Sequence, residues 1–185
     1  MKYFEHESAA TFDEAVSLLK ESPKGKTVVM AGGSDLIGVL KEQILEDYPE
    51  KVVDLKNVRG GEYIKQDGDT IEIGALTKLC DIVKSDLLNE KAPVLSQAAR
   101  SVATPLIRNV ATMGGNICQD VRCWFYRYPH GIGGRMDCMR KGGKECYAVM
   151  GDNRYHSIFG GMKVHTTPCS VQCPANTDIP AYMER

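Results

Sequence analysis

Val28-Val29-Met30-Ala31-Gly32-Gly33-Ser34-Asp35-Leu36-Ile37 is the stretch whose reading decides the fold of this chain. A short β-branched run enters two adjacent glycines, then Ser and Asp, then apolar residues at helical spacing through Leu36, Ile37, Leu40 and Ile44. The pattern predicts strand, tight turn, helix start. Such a turn presents backbone N–H groups to an anion, and glycine lets a phosphate or pyrophosphate come close. A Walker A loop is excluded because no Gly-Lys-Ser/Thr follows, and G-x-G-x-x-G is absent. Alone the signal is weak, since Gly-Gly before a helix is commonly just a turn.

Two further stretches repeat the idea. Ala111-Thr112-Met113-Gly114-Gly115-Asn116-Ile117 has a small residue, a Thr, a glycine pair and a polar side chain, and Ile73-Gly74-Ala75-Leu76-Thr77 is a strand entering a small-residue turn. Three such turns in one small chain are expected to converge on one extended phosphate-bearing ligand. Thr112 and Asn116 suit hydrogen bonds to a pyrophosphate or ribitol, or else satisfy the turn backbone.

Ala31-Gly32-Gly33-Ser34-Asp35-Leu36, Gly74-Ala75-Leu76-Thr77, and Thr104-Pro105-Leu106-Ile107-Arg108-Asn109 through Gly114-Gly115-Asn116 resemble the FAD-binding subunits of molybdenum hydroxylases, the xanthine dehydrogenase and carbon monoxide dehydrogenase flavoprotein family. The resemblance covers roughly residues 1 to 160. It implies an α/β (α+β), two-lobed PCMH-type FAD-binding fold: a small parallel βαβ lobe, a mixed or antiparallel lobe, and an iron–sulfur loop insertion. It also implies flavin contacts at Val29, Met30, Ala31, Gly32, Gly33, Ser34, Asp35, Leu36, Thr77, Ala103, Thr112, Gly114, Gly115, Asn116, Ile117 and Asp120. Arg108 either neutralises a phosphate or is a surface arginine, the commoner case.

The 185 residues suffice for one domain or two small lobes sharing a ligand, and 43% hydrophobic content can bury a core. A net charge of −1 gives no reason to expect nucleic acid or a membrane surface as partner. No apolar run approaches the length of a membrane span, and the polar start Met1-Lys2-Tyr3-Phe4-Glu5-His6-Glu7 is no secretory signal, so a cytoplasmic protein is expected.

Along the chain, strands are expected at Lys2 to Glu7, Val28 to Met30 and Lys51 to Leu55. A helix opened by the capping box Thr11-Phe12-Asp13-Glu14 and one ending near Glu46 lie between them. This β-α-β-α-β order predicts a small parallel sheet. After Gly60-Gly61, the runs flanking Asp67-Gly68-Asp69 predict a hairpin, followed by a helix from Thr77 through Val83 and another from Pro93 to Val102. The expected domains are 1–57, 58–122, a cysteine-rich loop at 123–160 and a tail at 161–185.

Seven cysteines point to metal or redox work in a reducing compartment. Cys80 shares an apolar face with Leu79, Ile82 and Val83 and reads as a small hydrophobe. The other six lie from residue 118 onward, without the Cys-x-x-Cys knuckles of zinc sites, and an iron–sulfur cluster tolerates such wide spacing. Arg127, Arg135, Arg140 and Lys141 would offset its charge. The segment resembles the insertion in the flavin subunit of 4-hydroxybenzoyl-CoA reductase. That implies a [4Fe-4S] cluster on Cys123, Cys138 and Cys146, with Cys169 for the fourth position and Cys173, Cys118 or His156 as rivals. The plain alternative is reduced, unliganded thiols on a loop. Residues 168–182, with Cys-x-x-x-Cys-Pro and then Asp-Ile-Pro, resemble the opening of the iron–sulfur domain of glutamate-synthase-type NAD(P)H oxidoreductases.

The expected function is that of an oxidoreductase flavoprotein subunit relaying electrons between FAD and iron–sulfur centres. Its partners would be a molybdopterin subunit and a [2Fe-2S] subunit, or an NAD(P)H-oxidising iron–sulfur flavoprotein. No general base or nucleophile stands out, and none is needed, because the cofactors carry the redox chemistry. The alternative is a degenerate flavin domain acting as an assembly scaffold, with zinc or nothing on its cysteines.

Overall fold

The computed structural model describes residues 1–45, 47–129 and 136–150. Their contacts form two units, one of Met1–Arg59 with 117–150 and one of Gly60–Asn116. Residues 117–122, expected in the second lobe, and the described cysteine loop both fold with the first.

In the first unit, β1 (Glu5–Ser8), β2 (Thr27–Met30) and β3 (Lys51–Asp54) form an all-parallel sheet in the order β1-β3-β2. The sheet is the expected one. Central β3 has Val52 and Val53 fully buried, as a strand covered on both faces requires. Edge strand β1 is Glu-His-Glu-Ser, a polar sequence that discourages pairing with another chain. Thr11 Oγ1 accepts from the Glu14 N–H at 3.1 Å and Glu14 Oε2 accepts from the Ala10 N–H at 2.7 Å, fixing the start of α1 (Phe12–Lys20). Helix α2 (Leu36–Lys41) stops short of the expected end near Glu46. The chain turns left-handed at Gln43 (φ 51°), and the Ile44 N–H returns to the Val39 carbonyl at 3.2 Å, burying Ile44.

Residues 117–150 complete this unit. Cys123, Tyr126, Cys138 and Ala148 bury against Val39 and Ile44, with Phe125, Cys146, Val121 and Leu45 packed around them. The segment also carries a 3-10 turn (Met139–Lys141) and α8 (Tyr147–Met150).

The second unit begins with the expected hairpin, β4 (Ile64–Asp67) antiparallel to β5 (Thr70–Ile73). Helices α3 (Leu79–Lys84), α4 (Asp86–Lys91) and α5 (Pro93–Arg100) follow, then α6 (Pro105–Arg108) and α7 (Met113–Ile117). The sequence reading did not separate α4, whose start is fixed by Ser85 Oγ accepting from the Leu88 N–H at 3.3 Å. The core is Leu79, Ile82, Leu88, Ala99 and Ala111, covered by Ile64, Ile71 and Ile73 of the hairpin. Among the described residues no helix is long and apolar enough to cross a membrane.

Ile82 is fully buried at the centre of this core, so Ile82→Ala should cost roughly 2–5 kcal/mol. Urea unfolding checks this; a change within error of zero would show that the second unit does not depend on the core described.

Candidate cofactor site

The first glycine turn joins β2 to α2 and is half-buried. Gly33 sits at φ +73°, a conformation that strains any residue with a Cβ. A Cβ there would also stand 3.0 Å from Ile37 Cδ1 and 3.1 Å from Met30 Sδ. Among the described residues, the N–H groups of residues 31–36 meet no protein acceptor. Consecutive free amides around a left-handed glycine form an anion-binding concavity, which fits the pyrophosphate of FAD.

The second glycine turn is built differently. Gly114 N–H donates to the Ala75 carbonyl at 2.8 Å, Asn116 N–H to the Thr112 carbonyl at 2.9 Å, and Gly115 N–H to Thr112 Oγ1 at 3.2 Å. A Cβ on Gly114 would lie 2.9 Å from the Ala75 oxygen, so this glycine permits the close approach of two protein segments. Met113 N–H donates to the Thr77 carbonyl at 2.8 Å and Leu79 N–H to the Ala111 carbonyl at 2.9 Å. The turns at 74–77 and 111–116, which the sequence analysis places at one ligand, are thus fastened together within the second unit. The first turn belongs to the other unit.

Thr77, 3% exposed, is expected to touch the flavin and to cap a helix. Its hydroxyl instead accepts from the Tyr63 N–H and donates to the Tyr63 carbonyl, both at 3.0 Å, and α3 begins at Leu79 without a side-chain cap. Thr112 Oγ1 satisfies the turn backbone. Ala103 is exposed and Asn116 half-buried.

Asp35, also among the expected flavin contacts, is an anchor in this structure. Arg127 Nη2 lies 2.9 and 3.1 Å from its two carboxylate oxygens, Arg122 Nη1 lies 2.8 Å from Oδ1, and the Asp120 N–H donates to Oδ2 at 3.2 Å. Arg127 also donates to the Asp120 and Val121 carbonyls, both at 2.8 Å. The 120–127 segment is therefore tied to the last residue of the glycine turn. Sequence reasoning named Arg127 only as a cation to offset a cluster and did not single out Arg122, because Asp35 and Arg127 are 92 positions apart and no periodicity links them.

Tyr126 stacks its ring under the buried Lys141 ammonium, 5.7 Å from the ring centre. Burial pushes its phenol well above the ordinary range, and the hydrogen-bonded Asp120 carboxylate adds to the effect, so the hydroxyl stays protonated at physiological pH.

Cys123, Cys138 and Cys146 share the apolar core of the first unit, while Cys118 is exposed. Among the described residues no group of three or more His, Cys, Asp or Glu side chains is arranged to hold a metal ion. Cys169, Cys173, His156 and Arg135 lie outside the described residues. Of the cations expected to offset a cluster, Arg127 is bound to Asp35 and Arg140 is exposed. Cys80 is half-buried beside Asp81, and burial pushes its thiol pKa up, as suits an unreactive cysteine. Arg127→Met should loosen the 120–127 segment, read as faster amide exchange there than in β3; unchanged exchange would show that the Asp35 anchor is dispensable.

A family model described as the FAD binding domain in molybdopterin dehydrogenase matches residues 2–129. The nicotinate dehydrogenase FAD-subunit of Eubacterium barkeri is 34% identical over 117 residues, covering 63% of this chain and 39% of the relative. The aldehyde oxidoreductase FAD-binding subunit PaoB of Escherichia coli K12 is 29% identical over 161 residues, 86% of this chain and 48% of the relative, a span that must run past residue 129 into the cysteine segment. The solved carbon monoxide dehydrogenase of Hydrogenophaga pseudoflava superimposes with a TM-score of 0.59 at 31% identity, over 63% of this chain and 39% of that one. The chain thus spans less than half the length of these relatives. With its parallel sheet, its antiparallel hairpin and an open amide turn at Gly32-Gly33, the chain belongs to the FAD-binding domain family of the molybdopterin dehydrogenases.

Proposed function

We propose that this chain is the FAD-binding electron-transfer module of a multi-subunit molybdenum hydroxylase, working beside a molybdopterin subunit and a [2Fe-2S] subunit. The observation that carries the reading is the run of unpartnered amides at 31–36 around left-handed Gly33. Relatives named as FAD subunits and medium chains of dehydrogenases support it. The NAD(P)H-oxidising partner was suggested by residues 168–182, which lie outside the described residues.

When bound, FAD supplies two-electron acceptance coupled to one-electron release. The chain's own part is to bind and orient. The 31–36 amides take the pyrophosphate oxygens without proton transfer. Arg127 and Arg122 neutralise Asp35 at the end of the same turn, so its carboxylate does not repel the bound phosphates. No side chain is asked to act as general acid or base.

Retention of FAD by the purified chain, seen as flavin absorbance bands, is the expected result. Gly33→Val should lose the flavin while circular dichroism keeps the β-sheet signal, because the strained side chain closes the amide turn. Full flavin occupancy in that variant would return the turn to an ordinary loop, and a colourless wild-type chain would favour the scaffold reading.

The cysteine loop is proposed to hold a [4Fe-4S] cluster through Cys123, Cys138, Cys146 and Cys169. Convergence of the first three thiols in one core supports this, although their described arrangement is not that of a metal site, and no electron step is derived through them. Such a cluster would require these thiols to lose their protons, and its binding would be coupled to folding. Cys169→Ser should lower iron content while Cys80→Ser leaves it unchanged. Iron analysis showing no iron in the anaerobically purified wild-type chain would refute the cluster.

A further inference from the structure

Arg108 is an unusual side chain. It is 7% exposed, on the short helix α6, and its Nη1 donates to the carbonyls of Arg100 at 2.8 Å, Val102 at 3.0 Å and Ala103 at 3.4 Å. A buried guanidinium bonded to main-chain oxygens fixes the path of that main chain, since its planar fork sets the acceptor directions. The path it fixes is strained. Ala103 lies at φ +44°, left-handed backbone that a residue with a Cβ seldom adopts. Such an outlier persists only where its surroundings over-determine it, and it is a pointer to function. Thr104 shapes the other side of the turn, its Oγ1 accepting from the Ile107 N–H at 3.4 Å and its carbonyl from the Arg108 N–H at 3.0 Å.

The result is a polarised loop. The carbonyls of residues 100, 102 and 103 are gathered onto Arg108. Among the described residues, the N–H groups of Ala103 and Thr104 have no protein acceptor. Ala103 itself is exposed. A strained turn with its oxygens drawn inward and adjacent amides left open is prepared for an acceptor atom on a ligand. Ala103 stands among the residues that the family resemblance implies for flavin contact.

From this geometry we infer that Arg108 is a positioning residue for the flavin: by holding Ala103 in the left-handed conformation, it keeps the Ala103 and Thr104 amides open to an acceptor atom of FAD. The inference rests on the FAD reading above, but it assigns a role the sequence leaves open between phosphate contact and surface charge. Arg108 is neither; it acts through the loop.

The role predicts a specific rescue. Lysine keeps the charge and loses the fork, so Arg108→Lys should weaken FAD binding by about tenfold, the equilibrium weight of a left-handed alanine. Glycine adopts that conformation without a Cβ penalty, so Ala103→Gly in the Arg108→Lys background should recover most of the affinity. Ala103→Gly alone is the reference for this rescue, and the double variant should approach its affinity. Ala103→Val, with Arg108 intact, puts a β-branched side chain on left-handed backbone, so it should weaken FAD binding and lower the melting temperature; this arm stands even if Arg108→Lys does not fold. Titration of the full chain with FAD, followed by flavin fluorescence, reads all four. Undiminished affinity in Arg108→Lys or Ala103→Val, or a loss that Ala103→Gly does not repair, overturns the inference. Should the unsubstituted chain bind no FAD, the flavin reading falls instead. Urea unfolding then decides the loop-holding role by itself: Arg108→Lys must cost less stability in the Ala103→Gly background than in the parent chain, and equal costs overturn it.

Discussion

Asp35 and Arg127 form the contact on which the first unit depends. Both side chains are largely buried, at 16% and 17% exposure, and they meet at 2.9 Å. Desolvating such a pair is costly, and it is tolerated here because the arginine also bonds two backbone carbonyls and the carboxylate also accepts from a backbone amide. Removing either partner would leave the other charge half-buried and under-bonded. The pair sits at the exit of the glycine turn, so one interaction both anchors residues 120–127 and fixes the end of that turn. It also brings Tyr126 and Cys123 onto the face of α2, where they share a core with Val39 and Ile44.

The paired glycines look alike in sequence and do opposite work. At Gly33 the missing side chain allows left-handed backbone in a turn whose amides are free. At Gly114 it allows the chain to press against Ala75, and the neighbouring amides are consumed in holding that contact. One turn keeps its amides open and the other is a fastener. The difference lies in where the amides donate. Thr77 and Thr112 follow the fastener: their hydroxyls are committed to Tyr63 and Gly115.

The cysteine segment shows a similar division. Cys123 and Cys138 are buried and Cys146 packs beside them, so the loop folds back on the first unit instead of standing apart from it. A buried lysine over the Tyr126 ring lies in the same region. A thiol raises little objection to an apolar core while it is protonated, whereas a thiolate needs a metal or a cation nearby. In the described structure these side chains pack, as protonated thiols in an apolar core do.

Local chemistry was legible in the sequence. The β-branched run before Ala31, the Thr11–Glu14 capping box and the Asp67-Gly68-Asp69 turn each act over a few residues, and each produced the element expected of it. The family could be recognised from the three turn motifs because they are short, contiguous and ordered. What needed tertiary structure was every property set by a partner far along the chain. The early end of α2 follows from Ile44 seeking a core that includes residues past 120. Asp35 became an anchor because Arg127, 92 positions away, reaches it. Arg108 turned inward because three carbonyls of a strained loop were there to receive it. Sequence specifies which groups can donate, accept or carry charge; only the folded chain decides which of them are already spent on one another, and so which remain for a ligand.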